Sequence, residues 1–168
     1  MTSPAPGWEQ RMADLWGAFD DHDPKVFLGK VEALTAELPP GDPVGEYELA
    51  SAHDSIGNEA EAADHYRRAF AAGLPEARRR QATIQYASTL RNLGRADESV
   101  ALLTAEREAG SDELDDAVTA FLALALTAVG REREAAGLAL GALSRHLPSY
   151  NRSLANYAAA LTQNNPAD

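Results

Sequence analysis

The chain of 168 residues contains no cysteine. This absence excludes disulfide bonds, thiol catalysis, iron–sulfur clusters and cysteine-based zinc sites, so the fold must depend on packing alone. Lysine is almost absent too, with two lysines against 13 arginines, and the 26 acids outnumber the 15 bases. The net charge of -11 repels a phosphate backbone, and we therefore expect no nucleic-acid partner.

Long apolar runs are also missing, although hydrophobic residues make up 45% of the chain. No segment approaches the roughly 18 apolar residues that a membrane-spanning helix needs. The start of the chain, MTSPAPG, lacks a basic region followed by an apolar run, which is the pattern of a signal peptide. We therefore expect a cytoplasmic protein that does not bind a membrane.

Motifs of catalysis and cofactor binding are absent as well. The histidines show no metal-ligand spacing, and there is neither a phosphate-binding glycine loop nor a nucleophile elbow. No pair of carboxylates stands in a pattern that suggests a cleft. We therefore expect no catalytic residue, no cofactor and no metal.

An internal repeat is the main feature that the chain does have. Gly57, Gly94 and Gly130 lie 37 and 36 residues apart, and each follows an apolar residue and an alanine at the same distance. A weaker unit precedes them, with Asp21 in the place of the glycine. A period of this length predicts helix–turn–helix units that stack and bury a continuous core. The turn glycine is expected to adopt a left-handed conformation, which ends the first helix without a side-chain clash.

Amphipathic periodicity predicts an all-α chain of about nine helices. Their approximate bounds are 8–20, 24–38, 44–56, 59–72, 76–93, 96–109, 112–129, 132–146 and 149–163. We expect them to form a single domain over 8–163, between flexible tails at 1–7 and 164–168. Its units lie at approximately 8–40, 43–75, 80–110 and 112–147, with 149–163 as a capping helix.

Three segments carry a resemblance to a known family, namely YELASAHDSIGNEAEAADHYRRAFAAGL, YASTLRNLGRADESVALL and FLALALTAVGREREAA. Their period, small residues and turn glycine resemble the tetratricopeptide repeat. The stretch from Tyr47 to about Leu143 is similar to a bacterial three-repeat subgroup that has no assigned activity. The resemblance implies a right-handed superhelix of helix pairs, in which the first helices line a concave groove for a protein or peptide partner. It also implies that His53 is a packed residue, since the repeat often has an aromatic there.

The groove positions implied by this architecture are polar in the middle and apolar at the far end. They are Arg11, Leu15 and Phe19, then Tyr47, Ser51, Asp54 and Ser55, then Ile84, Ser88, Arg91 and Asn92, then Ala120, Leu124, Thr127 and Ala128. Asp54 and Arg91 occupy equivalent positions in adjacent units, so they either bind a ligand or pair with each other. The basic clamp with which some relatives hold the carboxylate of a chaperone tail is absent.

Two arginine clusters, Arg67-Arg68 and Arg78-Arg79-Arg80, could suggest an anion site. Consecutive helical residues point in different directions, however, and acids lie near in sequence. Local ion pairs on a solvated face are therefore expected.

The sequence thus predicts a non-enzymatic adaptor or scaffold that binds a peptide or a partner helix in its groove. The alternative is a self-associating module that dimerises through Trp8, Trp16 and Phe19 or through the last helix. Trp8 and Trp16 are eight residues apart on one helical face, and they can equally close the N-terminal end of the core.

Overall fold

A computed structural model describes residues 7–163, and this range contains nine α-helices, one short 3-10 helix and no strand. The predicted all-α fold is confirmed. The helices are α1 (Trp8–Gly17), α2 (Pro24–Thr35), α3 (Pro43–Ser55), α4 (Glu59–Ala71), α5 (Glu76–Asn92), α6 (Ala96–Ala109), α7 (Asp115–Ala128), α8 (Glu132–Ser144) and α9 (Asn151–Gln163). The predicted tails at 1–7 and 164–168 lie outside the described residues, apart from Gly7.

The chain divides into two compact units, with the boundary between Ala82 and Thr83 inside α5. In the first unit α1 packs on α2, α2 on α3 and α3 on α4. In the second unit α6 packs on α7, α7 on α8 and α8 on α9. Within each unit, therefore, a helix packs on its neighbour in sequence, which is the arrangement of a helical repeat.

The turns that end α3, α5 and α7 share one backbone geometry. Gly57, Gly94 and Gly130 have φ angles of 82°, 77° and 76°, in the left-handed region. The amide after each glycine donates to the carbonyl five residues earlier, with the pairs Asn58–His53 at 2.9 Å, Arg95–Leu90 at 2.8 Å and Arg131–Leu126 at 2.9 Å. This is the Schellman motif, which satisfies carbonyls that the end of a helix leaves without partners. The predicted turn conformation is confirmed in all three repeats.

Proline and aspartate set the starts of α2 and α3. Pro24 and Pro43 occupy the first helical positions, where a missing amide hydrogen costs nothing. The carboxylate of Asp42 accepts hydrogen bonds from the amides of Val44 at 2.9 Å and Gly45 at 3.1 Å. Such caps typically stabilise a helix by about 1 kcal/mol.

Some predicted helix ends were wrong by a few residues. The first helix ends at Gly17 rather than at residue 20, because Phe19–Asp21 form a separate 3-10 turn. The seventh begins at Asp115 rather than at 112, because the Asp112 carboxylate accepts a hydrogen bond from the amide of Leu114 at 2.8 Å and forms a turn there.

The core of the first unit is aromatic at its N-terminal end. Trp8 is fully buried, and its indole nitrogen donates to the carbonyl oxygen of Leu34 at 2.8 Å. The ring of Phe27 makes edge contacts with Trp16 at 4.9 Å and with Phe19 at 4.8 Å between centroids. The prediction that Trp8 and Trp16 close this end of the core is therefore confirmed, and Phe19 packs with them.

The core of the second unit combines α5, α6, α7 and α8. Its buried members include Ile84, Ala87, Leu103, Val118, Leu122, Leu126 and Ala135. Full burial of a leucine or valine side chain contributes roughly 1.5–3 kcal/mol, so this cluster is the main source of stability here.

Helix α9 approaches α8 unusually closely at Gly137. A Cβ atom added there would lie 2.7 Å from Cγ2 of Thr162 and 2.9 Å from the carbonyl oxygen of Ala158. Both distances are shorter than a van der Waals contact, so only glycine fits without a shift. The absence of a side chain at Gly137 therefore sets the separation of α8 and α9.

Candidate partner-binding surface

The predicted groove residues differ widely in exposure. Tyr47, Ser51 and Ile84 are buried, so their side chains contribute to packing and offer little surface to a partner. Asp54, Ser88 and Arg91 are half-buried, as are Leu15 and Phe19. The exposed members are Arg11, Ser55, Asn92, Ala120, Leu124, Thr127 and Ala128. The exposed set includes the outer face of α7.

Helix α7 is apolar on two faces. One face buries Val118, Leu122 and Leu126 in the core. The other exposes Leu124, with 47% of its surface accessible, together with Ala120, Thr127 and Ala128. The hydroxyl of Thr127 donates to the carbonyl oxygen of Ala123 at 2.9 Å and so needs no partner. The outer face of α7 can therefore bury apolar groups of another molecule without leaving a polar group unsatisfied.

The end of α5 is polar. Ser88 and Arg91 are half-buried and Asn92 is exposed. The guanidinium of Arg91 donates to the side-chain oxygen of Asn92 at 3.0 Å. Earlier in α5, Ile84 belongs to the same buried cluster as Leu122 of α7. The second unit thus combines a polar helix end with an apolar helix face.

Arg11 is already engaged within the first unit. Its guanidinium donates two hydrogen bonds to the carboxylate of Glu37, at 2.8 and 2.5 Å. These hydrogen bonds hold the pKa of Glu37 below its ordinary value. A partner would have to displace Glu37 in order to bind Arg11, which makes Arg11 a weaker candidate than Leu124.

Two histidines stack beside a cavity of about 470 Å³ in the first unit. The rings of His53 and His65 are 5.2 Å apart and nearly parallel, and Nδ1 of His53 is 3.2 Å from the side-chain nitrogen Nδ2 of Asn58. Burial lowers the pKa of His53, and the neighbouring His65 lowers it further. The prediction that His53 is a packed residue is confirmed. The stacking could not be predicted from the sequence, because the two rings come from different helices.

A carboxylate fixes the other side of this histidine pair. Oε2 of Glu46 lies 2.7 Å from Nδ1 of His65 and accepts a hydrogen bond from Nε of Arg68 at 2.8 Å. Burial by itself would raise the pKa of Glu46, but these two partners outweigh it and lower the pKa. In the part of the chain that the structure describes, no three histidine or acidic side chains gather in a way that could hold a metal ion.

A second cavity, of about 740 Å³, lies in the second unit between the start of α7 and the α8–α9 hairpin. Small residues line its hairpin side, namely Gly137, Gly141, Ala142, Ala155, Ala158 and Ala159. On the α7 side, Asp116 binds His146 at 2.7 Å and also pairs with Arg145. These hydrogen bonds, the one from His146 above all, lower the pKa of Asp116.

The arginine clusters form ion pairs, as predicted, but only the pairs of Arg67 and Arg79 are local in sequence. Arg67 pairs with Asp64, Arg68 with Glu46, Arg78 with Glu9 and Arg79 with Glu76. The guanidinium of Arg79 also lies 5.6 Å from the ring centre of Phe70. The arginines therefore do not form one basic stripe.

Comparison with known proteins identifies the repeat. Residues 43–161, from the start of α3 into α9, match the tetratrico peptide repeat family. Neither the curated proteins nor the solved structures gave a significant match. No helix within residues 7–163 has both the length and the apolar composition needed to cross a bilayer. Repeats of this family generally mediate contacts between proteins and are typically non-catalytic. The match covers more than half of the chain, and the chain belongs to the tetratricopeptide repeat family.

Proposed function

We propose that the chain binds a peptide segment or a partner helix through the exposed sides of α5 and α7. The exposed apolar face of α7 carries the proposal, because Leu124 has 47% of its surface open to solvent in the middle of a well-packed helix. A family whose repeats mediate protein contacts uses such helix faces to bury apolar groups of a partner. In the cell the chain would then act as a cytoplasmic adaptor without catalytic activity.

The two helices define the chemistry of the partner. Leu124, Thr127 and Ala128 favour apolar side chains, which an amphipathic partner helix presents at every third or fourth position. Ser88, Arg91 and Asn92 offer hydrogen bonds to polar or acidic groups beside them. We therefore expect a segment that combines an apolar stripe with polar or acidic residues at its edge.

The remaining groove positions stay part of the proposal as secondary contacts. Asp54 and Ser55 of α3 and Arg11 of α1 have accessible side chains, although Arg11 is paired with Glu37. The side chains of Tyr47, Ser51 and Ile84 are buried, so they would not contact a partner but would support the helices that do. The alternative roles of Asp54 and Arg91, as ligand contacts or as partners of each other, remain predictions.

The experiment selects binding peptides from a random display library and measures their affinity for purified variants. Leu124→Glu should weaken binding at least about tenfold, because it puts a charge where apolar groups are buried. Arg91→Ala should weaken binding of acidic peptides by a smaller factor. Tyr157→Ser, on α9, is the control and should leave affinity unchanged. If selected peptides bind Leu124→Glu as tightly as the unaltered chain, the α7 face is not the site.

A further inference from the structure

The α8–α9 hairpin exposes several large apolar side chains on a surface that the proposed peptide site does not use. Tyr150 is 81% exposed, Tyr157 is 71% exposed, and Leu143 is 49% exposed. Leu154 and Leu161, three residues before and four residues after Tyr157, are half-buried. Exposed apolar patches mark interaction sites, and tyrosine is one of the residues enriched in them.

These side chains lie on one side of the hairpin. The cavity of about 740 Å³ is bordered by the other side, through Gly141, Ala142, Ala155 and Ala159. The cavity is not lined by Leu143, Tyr150 or Tyr157. Helical periodicity in the antiparallel α8 and α9 also puts Leu143 and Tyr157 on the same side. The patch formed by Leu143, Tyr150 and Tyr157 is here called the tyrosine face.

The charge of this region differs from that of the rest of the chain. No aspartate or glutamate occurs between Ala135 and Gln163, the longest acid-free stretch of a chain with 26 acids. Its arginines are Arg145 and Arg152, and Arg145 is already paired with Asp116. The tyrosine face is thus nearly neutral on a molecule with a net charge of -11. Two copies of this chain would repel each other electrostatically over most of their surfaces, and this repulsion would be weakest at the tyrosine face.

The backbone at Tyr150 supports a role outside the chain's own packing. With a φ of 69°, Tyr150 is the only residue other than glycine in the left-handed region within residues 7–163. Bulky residues rarely adopt this conformation, which favours glycine or asparagine. The exposed ring gains little packing in return. Strain of this kind is often kept where a side chain serves binding.

We propose that the tyrosine face is a self-association surface, on which a second copy of this chain packs the same face around a two-fold axis. Such an isologous contact sets each tyrosine face against its own counterpart and closes after two copies. The apolar groups supply the attraction, and the missing acids remove the repulsion that opposes it elsewhere. A second copy fits better than a cationic or an anionic partner, because the face has almost no charge of either sign.

The contact should be weak. Helix α9 has 13 residues and is therefore about 20 Å long, so one face of the hairpin buries less than the ~800 Å² per partner of a standard stable interface. We expect a dimer with a dissociation constant on the order of tens of micromolar. The peptide site on α5 and α7 stays free in this dimer, so the two proposals can fail independently.

Sedimentation velocity over a range of about 5 to 500 µM tests the proposal. The average mass of the unaltered chain should rise from 17.9 kDa towards twice that value. The double variant Tyr150→Ser/Tyr157→Ser should associate at least tenfold more weakly. Val26→Ser is a matched control, because Val26 is a 52% exposed apolar residue on α2, and it should associate like the unaltered chain. A monomer at every concentration overturns the proposal, and so does undiminished association of the double variant.

Two further variants separate a binding role from a structural one. Tyr150→Asn relieves the left-handed strain, so it should raise the melting temperature by about 2–4 °C while weakening association. If it leaves association unchanged, Tyr150 is not part of the contact. Because the chain has no cysteine, Asn156→Cys carries a single spin label on α9. A short label–label distance that disappears in the double tyrosine variant supports the two-fold contact, and its absence at dimer-forming concentrations overturns it.

Discussion

Replacing Gly137 by alanine should destabilise the chain, although the same change usually strengthens a helix. Gly137 lies inside α8, where alanine is favoured over glycine by about 1 kcal/mol. The new methyl group, however, would lie 2.7 Å from Thr162 and 2.9 Å from the backbone oxygen of Ala158. The backbone atom cannot rotate away, so α9 must move. Overpacking of this kind typically costs about 1–3 kcal/mol, so that after subtraction of the helix gain of about 1 kcal/mol the net loss is up to about 2 kcal/mol.

Gly141, one helical turn later, is the matched control. A methyl group there would meet only Cβ of Ala158, at 3.9 Å, which is an ordinary contact. Gly141→Ala should therefore keep the full helix gain and raise stability by about 1 kcal/mol. The two alanine variants share their chemistry and their helix, and they differ only in how closely α9 approaches.

Thermal unfolding followed by circular dichroism measures both variants. For a chain of this size, 1 kcal/mol corresponds to roughly 2–4 °C, so the two melting temperatures should shift in opposite directions. Hydrogen exchange should also show faster exchange of α9 amides in Gly137→Ala, since the displaced helix loses part of its packing. If both variants are stabilised equally, the close packing of α8 on α9 does not exist in solution.

Three other residues, His53, Glu48 and Gly94, should each have a measurable effect on the stability of the fold. The lowered pKa of His53 means that the native state binds a proton less readily than the unfolded state does. The melting temperature should therefore fall as the pH drops below about 6.5, the ordinary pKa of histidine. His53→Phe should flatten this pH dependence. Burial raises the pKa of Glu48, whose carboxylate accepts a hydrogen bond from the indole of Trp16 at 2.7 Å. The native state therefore loses stability as the pH rises through that pKa. Glu48→Gln keeps an acceptor for the indole of Trp16 and removes the buried charge, so it should raise the stability at pH 7 by about 1 kcal/mol. Near pH 4 the same variant should have no such effect. Gly94→Ala should cost about 1–2 kcal/mol in urea unfolding, because φ is 77° there, and Gly94→Asn should cost less.

Two separate surfaces follow from the arrangement of the second unit. The proposed peptide site uses the outer face of α7, while the proposed dimer contact uses the tyrosine face on α8 and α9. A dimer would present two peptide sites at once, and linked binding to a partner with two matching segments raises the apparent affinity without any new contact. Loss of this gain in the double tyrosine variant, with single-site affinity unchanged, would connect the two proposals.

The helices and turns of this chain are determined locally, which is why the sequence predicts them. The helix ends at Gly57, Gly94 and Gly130 depend on hydrogen bonds across three to five residues and on glycine's access to a positive φ. Pro24 and Pro43 start their helices for equally local reasons. The period that joins these signals predicts stacked pairs, since a lone pair cannot bury its apolar face.

Burial and partner choice are decided by tertiary structure. Tyr47, Ser51 and Ile84 stand at positions that the repeat assigns to a groove, yet their side chains are buried. The indole of Trp16 donates a hydrogen bond to the carboxylate of Glu48, which is 32 residues later in the sequence, and Arg78 donates one to Glu9, which is 69 residues earlier. No local pattern encodes such pairs, because they depend on how far apart the packed helices lie. That separation depends on side-chain volumes from several helices at once, as Gly137 demonstrates between α8 and α9.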